Sequence, residues 1–345
     1  MRLLVVSRTG YGLGIASHLA SEGHAVSMTI TRDDFGDIGR GVVSQGNGDR
    51  PDLTIYDSPS FGRDADTVRQ SGLRVFGASS WAQMLQEDTE FRAAVIRSIW
   101  GPQEPVAEGV QCYVSLWFNG LDYISSYLSV VYHRMNPGGK SEDVGFTGCV
   151  SNFWQPTAKV KAKFLDPLCK VLRRANHRGC VHIRSTIDGD RFSVSDIAAS
   201  FEHPLSLVLF ENCKHSIPDV LLRVFSENSV PIIPLSQWAS AVMLSVPPFP
   251  YQVHSLPTIL NGLIPANLKH IWLVDAMREN GQWLTSGAHG KVGYVTSRGT
   301  TTSEAVRRAY RTIRNLQVQD LQYRPDVGKG INHLLSSLRN SEWIK

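Results

Sequence analysis

Paired cysteines, long apolar runs and dense charge are all missing from this 345-residue chain, and each absence removes a class of protein. The five cysteines (Cys112, Cys149, Cys169, Cys180, Cys213) are odd in number and widely spaced. With no Cys-x-x-Cys or Cys/His cluster, neither a disulfide framework nor a zinc site is expected, and free thiols in a reducing compartment are. No stretch reaches the roughly 20 apolar residues of a membrane helix. The opening Met1-Arg2-Leu3-Leu4-Val5-Val6 enters a strand pattern at once, with no basic leader or cleavage site. A cytoplasmic protein without a membrane partner is therefore expected. Charged residues make up only 19% and the net charge is +4, a balance that permits nucleic acid as a partner without indicating it. Basic residues such as Arg307-Arg308-Ala309-Tyr310-Arg311 fall at helix spacing and read as a solvated face. No Walker motif, Gly-x-Ser-x-Gly elbow or His-Glu-x-x-His is present.

What is present reads as α/β in several parts, since the length exceeds one ordinary core. Leu3 to Val6 form a strand, Arg8-Thr9-Gly10-Tyr11-Gly12-Leu13-Gly14 a glycine loop, and Ile15 to Glu22 a helix stopped by Gly23. Strands over His24 to Ile30, Asp52 to Asp57 and Leu73 to Gly77 follow, with a helix over Ala65 to Ser71 before the last. That alternation argues a doubly wound parallel sheet. The pattern then changes. Trp81 to Trp100 reads as helix, Gln111 to Phe118 and Tyr123 to Tyr132 as a hairpin turning on Asn119-Gly120, and Leu165 to Arg174 as helix. An Asn-Gly pair between apolar runs suits a type I′ turn. A second hairpin, Gly179 to Ile187 and Phe192 to Ile197, turns on Asp188-Gly189-Asp190. From about Ser229 strands (Ile271 to Val274, Lys291 to Thr296) mix with a helix over Ser303 to Asn315, capped by Ser303. Three domains are expected: residues 1–80, 81–228 and 229–345.

Three groups of residues could carry chemistry. Gly10, Gly12 and Gly14 follow a strand and precede a helix N-terminus, where amide groups and the helix dipole favour an anion such as phosphate. The plainer reading is tight packing of the first crossover. Asp57 ends a strand at the edge where α/β sheets bind ligands. A second group, Tyr132-His133-Arg134 with Lys140, Glu142, Asp143, Thr147 and Gly148, either clamps a charged substrate or is an exposed connection. A third holds His182, Arg184, Asp196, Glu202 and His203. His182 and Arg184 share one strand face at solvent-like spacing, so no metal site is expected there.

Taken in order, these segments resemble the glycinamide ribonucleotide synthetase (phosphoribosylamine–glycine ligase) family of the ATP-grasp superfamily. At the N-terminus the matching residues are Leu3 to Gly10, Asp52-Leu53-Thr54-Ile55 and Asp66 to Gly77. At the C-terminus they are Leu284-Thr285-Ser286-Gly287, Gly290 to Thr296, Glu304 to Tyr310 and Tyr323-Arg324-Pro325-Asp326-Val327-Gly328. The resemblance implies ATP lying between a small lid and a larger domain, glycine activated as an acyl phosphate, and attack by phosphoribosylamine. It implies Gly10 and Gly12 at the ribose phosphate, and Asp57, Ser286, Gly287, Arg324 and Asp326 near the amine substrate. Asp57, Ser286 and Arg324 should then converge on one pocket beside the glycine loop.

The departures lie on the ATP side. Where the family carries a Ser-Lys pair, Asp88-Thr89 stand. Only Arg92 to Val106 precede Ala107-Glu108-Gly109-Val110-Gln111, which leaves no room for a lid. The family's metal-binding Glu-Phe-Asn-x-Arg run is Asp196-Ile197-Ala198-Ala199-Ser200 here, and alanine cannot ligate Mg²⁺. The expected architecture is thus an N-terminal doubly wound domain, a reduced ATP-grasp-like central domain lacking the lid, and a C-terminal α+β domain. The expected function is a synthetase-like protein of purine and nucleotide metabolism whose inherited reaction joins glycine to a phosphoribosyl-amine. ATP and Mg²⁺ enter only if that activity survives. The partner is a small phosphorylated metabolite, with glycine if the reaction is inherited. The alternatives are a non-catalytic phosphoribosyl- or nucleotide-binding protein, and an ATP-independent transferase joining an amino acid to an activated nucleotide or modified base.

Overall fold

The computed structural model describes the whole chain except residues 47–49, 140, 229, 253 and 255. The first part is a five-stranded parallel sheet in the order β3-β2-β1-β4-β5. Its strands are β1 (Arg2–Ser7), β2 (Ala25–Ile30), β3 (Ser44–Gln45), β4 (Leu53–Tyr56) and β5 (Val75–Phe76). Helix α1 (Leu13–Ser21) crosses from β1 to β2 and α2 (Gly62–Gln70) from β4 to β5. Leu53 to Tyr56 are buried throughout, as a central parallel strand covered on both faces should be. Gly23 and Gly72 stop the helices at positive φ (87° and 82°), a backbone glycine adopts without steric cost. The expected helix over Trp81 to Trp100 is two, α3 (Ser80–Glu87) and α4 (Thr89–Trp100). The break falls at Asp88, whose backbone leaves helical geometry and whose carboxylate caps the amides of Glu90 and Phe91, both at 2.9 Å.

After a segment of residues 101–109 with no helix or strand, the chain builds one eight-stranded antiparallel sheet, ordered β10-β9-β6-β7-β8-β11-β16-β13. Two hairpins supply its first half: β6 (Val110–Phe118) with β7 (Tyr123–Arg134), and β9 (Gly179–Asp188) with β10 (Arg191–Ala198). The first does not turn in the expected two-residue way. Residues 119–122 form the loop, only Gly120 has positive φ, and the Asn119 side chain accepts from the amides of Leu121 and Asp122. Strand β8 (Asp143–Asn152) pairs with β7 and then with β11 (Trp238–Leu244). Between β8 and β9 the chain runs through α5 (Ala158–Val160), a π-turn at Lys161–Leu165 and α6 (Asp166–Arg174). Helices α7 (Leu205–Glu211) and α8 (Ile217–Arg223) precede β11.

The rest of the chain adds β12 (Leu260–Asn261), α9 (Pro265–Leu268), β13 (Ile271–Leu273), β14 (Met277–Glu279), β15 (Gln282–Leu284) and β16 (Gly293–Gly299). Then come α10 (Thr302–Arg314), β17 (Gln317–Val318) and α11 (Ile331–Asn340). Because β11, β13 and β16 continue the sheet begun at β6, one sheet spans both segments expected as central and C-terminal domains. The expected boundary at Ser229 lies outside the described residues. Helix α10 is capped by Thr301, which accepts from Glu304 N, rather than by Ser303. The N-terminal layer docks on this sheet through α1. A Cβ on Gly14 would lie 3.0 Å from Trp272 Cα, so a larger residue there would push α1 away from β13 by a few tenths of an ångström.

Glu211, at the end of α7, ties the helix layer to the sheet edge. Its buried carboxylate accepts from Thr296 Oγ1 (2.9 Å), His270 Nδ1 (3.0 Å) and Arg298 Nη1 (3.3 Å). His270 and Arg298 are about a third exposed and can recover water contacts if the carboxylate is lost. Glu211→Ala is therefore expected to cost about 2 kcal/mol rather than the larger penalty of a stranded buried charge. Urea denaturation measures it, and a loss under about 0.5 kcal/mol would show the cluster to be incidental.

Candidate functional site

The site begins where two strands end side by side. Ser7 closes β1 and Asp57 follows β4, so parallel pairing of Val6 with Tyr56 sets the two side chains together. The Ser7 hydroxyl donates to Asp57 Oδ2, Gly12 N donates to the same oxygen at 2.6 Å, and Gly10 N donates to Ser7 Oγ at 2.8 Å. The amides of Gly10 and Gly12, expected to face a phosphate, are thus satisfied within the protein. Gly12 is glycine for packing: a Cβ there would lie 2.6 Å from Val5 Cγ1 and 3.2 Å from Asp57 Oδ2. Asp57 Oδ1 is buried and has no hydrogen bond of good geometry, although the amides of Arg8 and of Asp57 itself come close enough to the carboxylate to favour its charge. Burial pushes the Asp57 carboxyl up to about 6, against the lowering effect of the Ser7 and Gly12 hydrogen bonds.

A second loop, residues 286–290, is folded around another buried carboxylate. Asp275 accepts from Ser286 N (2.9 Å) and Ser286 Oγ on one oxygen, and from His289 N (3.0 Å) and Gly290 N (2.8 Å) on the other. Ser286 is therefore occupied by Asp275, and Gly287 contributes a left-handed turn (φ 80°) to the same loop. His289 joins the two loops. Its Nδ1 accepts from Lys291 N, which leaves the proton on Nε2 to be donated to Thr9 O at 3.2 Å. Burial lowers the His289 pKa, which favours this neutral form.

Between the loops lies a cleft of about 400 Å³. Thr9, Tyr11 and Asp57 reach it from the N-terminal sheet, Val144 to Phe146 from β8, and Lys291 and Tyr294 from the C-terminal part. Lys291 is only 8% exposed, and its ammonium donates to Tyr11 Oη at 2.6 Å. It makes no ion pair among the described residues, so a buried cation keeps unused donors beside the cleft. Phe201, Glu202 and His203 complete the walls. Burial raises the Glu202 pKa, opposed by hydrogen bonds from Gln86 Nε2 (3.0 Å) and Ser200 Oγ (3.1 Å). His203 is held neutral, its pKa lowered to about 3 by burial and then by the charge of Lys291.

The remaining expected residues lie elsewhere. Arg324 is buried, and its guanidinium forks onto Asp326 (2.6 and 3.2 Å) while Nη1 donates to Arg134 O at 2.9 Å. Neither it nor Ser286 lines the cleft with Asp57. The Arg324–Asp326 pair instead pins the turn after residue 321 to the β7–β8 connection, with Gly138 N on Asp326 and Gly328 N on Tyr132 Oη. From the second expected group, Thr147 Oγ1 donates to Tyr132 O, and Lys140 lies outside the described residues. In the third, His182 is not solvent-facing but 1% exposed, hydrogen-bonded to Ser115 (2.8 Å) and Ser206 (3.3 Å). Sequence reasoning missed Lys291, Tyr11, His289 and Asp275. A lysine between glycines at the foot of an apolar strand, Gly290-Lys291-Val292-Gly293, was the available signal for the first.

The residues present do not fit Mg²⁺ where the family resemblance would place it. Asp196 faces Arg92 Nε at 3.1 Å, Ala198 has no donor atom, and no group of three or more His, Cys, Asp or Glu among the described residues could hold a metal. No helix among the described residues is long and apolar enough to cross a membrane.

The folded protein binds the Asp57 proton more tightly than the unfolded chain does between about pH 4 and 6. That contribution is complete below about pH 4 and is lost as the pH rises through 6, about 3 kcal/mol in all. Asp57→Asn keeps the shape without the charge. Its stability relative to the parent is expected to rise by that amount between pH 4 and pH 7 in chemical denaturation, whereas parallel pH profiles would refute the assignment.

No protein-family model and no curated protein sequence matches the chain. Solved structures do. Phosphoribosylamine–glycine ligase from Thermotoga maritima superposes with a TM-score of 0.73 at 13% identity, covering 95% of this chain and 100% of that one. The biotin carboxylase domain of a single-chain bacterial carboxylase gives 0.62 at 10% identity, over 99% of this chain and 100% of its own. A protein described as glycinamide-RNase-transformylase T from Mycobacterium tuberculosis gives 0.56 at 12%, over 92% and 100%. Identities this low establish architecture alone: the parallel sheet and the antiparallel sheet are assembled as in ATP-grasp enzymes.

Proposed function

We propose that the cleft binds a small phosphorylated amine of the phosphoribosyl type, in a protein of nucleotide metabolism related to the phosphoribosylamine–glycine ligases. One observation carries this reading. A buried ammonium with unused donors, Lys291, and a buried carboxylate oxygen with no hydrogen bond of good geometry, Asp57 Oδ1, line the same cleft. Buried polar atoms are nearly always satisfied, and a ligand with an anion for one and hydroxyl or amine hydrogens for the other would satisfy both. Phosphate at Lys291 and the ribosyl-amine end toward Asp57 meet that requirement.

The inherited reaction would be ligation of glycine to that amine, but the ATP side argues against it. Arg92 neutralises Asp196, Ala198 replaces a ligand, and residues 101–109 are too few for a lid. The reading we favour is an amine-substrate site kept without ATP-driven activation. A second reading, a transferase acting on a substrate activated beforehand, is favoured by Glu202. A buried carboxylate of raised pKa in the cleft wall is suited to take the proton an amine loses as its nitrogen bonds to the activated carbon and the activating group departs. No step in either reading passes through a metal.

Ribose 5-phosphate is a stable stand-in for the ligand. At a hundredfold its Kd it should add about 2.7 kcal/mol of stability, read as a rise in Tm. Lys291→Met, which keeps the apolar stem, should weaken binding at least about tenfold. ATP with Mg²⁺ should leave Tm unchanged. A Tm rise with Mg-ATP, or ribose 5-phosphate binding that survives Lys291→Met, would overturn the proposal.

A further inference from the structure

A second cleft, of about 500 Å³, opens beside the first, and the two share Val144 as a wall. Its lining differs in kind. Phe249, Pro250 and Tyr251 meet Tyr323 and Pro325 there, giving flat apolar walls. Tyr251 is 81% exposed, a large ring standing almost wholly in solvent at the edge of this cleft. Gln322 also lines it, and Gln322 Oε1 is buried with no hydrogen-bond partner. The second cleft therefore offers ring faces and one acceptor, a combination that suits a heterocycle carrying an N–H.

Lys291 sits at the junction. Its ammonium lies 5.2 Å from the centre of the Tyr11 ring, which lines the first cleft, and 5.4 Å from that of Phe249, which lines the second. An anion bound there has space on both sides, so it falls within the ligand rather than at its end. The charges agree. Lys291 is the one cation among the described residues lining either cleft, against the carboxylates of Asp57, Glu202 and Glu142. A phosphate monoester carries nearly two negative charges at neutral pH, while a phosphodiester carries one. Both can pair with Lys291, but the diester meets less repulsion from these acids than the monoester does.

Building on the proposed phosphate site, we infer that the ligand is a phosphodiester of the dinucleotide kind. Its phosphate pairs with Lys291, a nucleobase packs in the second cleft against Phe249, Tyr251 and Tyr323, and the reacting end lies in the first cleft beside Asp57. This goes beyond a phosphoribosyl-amine, which has nothing to place past its phosphate. The same chemistry is presented by a free dinucleotide and by the end of a single strand.

Calorimetric titration with the dinucleoside monophosphate TpT, thymidine 5′-monophosphate and ribose 5-phosphate decides the matter. TpT is expected to bind at least about tenfold more tightly than either monoester, since it alone fills both clefts. Tyr251→Ala removes an exposed ring that the fold does not use, and should lower TpT affinity about fivefold or more. Phe249→Leu should act in the same direction. Tighter binding of single-stranded oligothymidylate than of TpT would assign the source to a nucleic acid strand, and its exclusion to a free dinucleotide. Ribose 5-phosphate binding as tightly as TpT, or TpT affinity unmoved by both substitutions, would overturn this inference and leave the phosphate site standing. Failure of all three ligands to bind would remove the phosphate site as well.

Discussion

The site depends on one buried carboxylate that is itself not part of it. Asp275 gathers two backbone amides on one oxygen, and an amide and a hydroxyl on the other, and by doing so fixes the 286–290 loop. A carboxylate taken fully out of water needs that many donors to be tolerated. The same donors determine where His289 points, and so where Thr9 and the N-terminal loop are held. Lys291 follows directly, its amide on His289 and its ammonium on Tyr11. The two ends of the chain, already packed together through α1 and β13, are thus locked in register beside the cleft by a short relay of hydrogen bonds.

Asp57 is the counterpart on the other side, and the contrast between the two acids separates structure from function. Both are buried and both fold a loop. Every lone-pair direction that matters on Asp275 is matched by a donor, whereas one oxygen of Asp57 has none in good geometry. Seven other buried side-chain atoms among the described residues lack a partner too, but Asp57 Oδ1 is the one carboxylate oxygen among them, and a charged acceptor is the costliest to leave alone. The Arg324–Asp326 pair makes the opposite point: a bidentate fork that reads as a ligand clamp is already closed by its own neighbour two residues on.

The N-terminal sheet was legible in the sequence because parallel strands are continuous apolar runs and glycines punctuate the crossovers. The hairpins were legible from their alternation, but the loop at Asn119 was not, since the side chain of Asn119 makes bonds that no propensity rule counts. Asp88 was read only as a departure from a family pattern, although an acid before a helical run is a cap signal in its own right. Within the site, Asp57 could be placed from its position at a strand end. Lys291 could not, because what distinguishes it is that no carboxylate among the described residues comes within ion-pair distance, and that is a property of the folded chain. His182 misled for the related reason that a period-2 pattern does not say which face is covered, and the helix layer carrying Ser206 covers its face.

The uninterrupted sheet has a consequence for how the clefts choose their contents. Val144 to Phe146 belong to β8 and Tyr294 to β16, and a single strand, β11, lies between them. Tyr294 Oη also donates to Phe146 O at 3.3 Å, tying the two walls together. Their separation is fixed by two interstrand spacings, about 10 Å. Across the strands, a gap ruled by a hydrogen-bond ladder can neither widen for a bulky molecule nor tighten around a small one. It acts as a go/no-go gauge, and molecules are sorted by whether they fit it as they arrive.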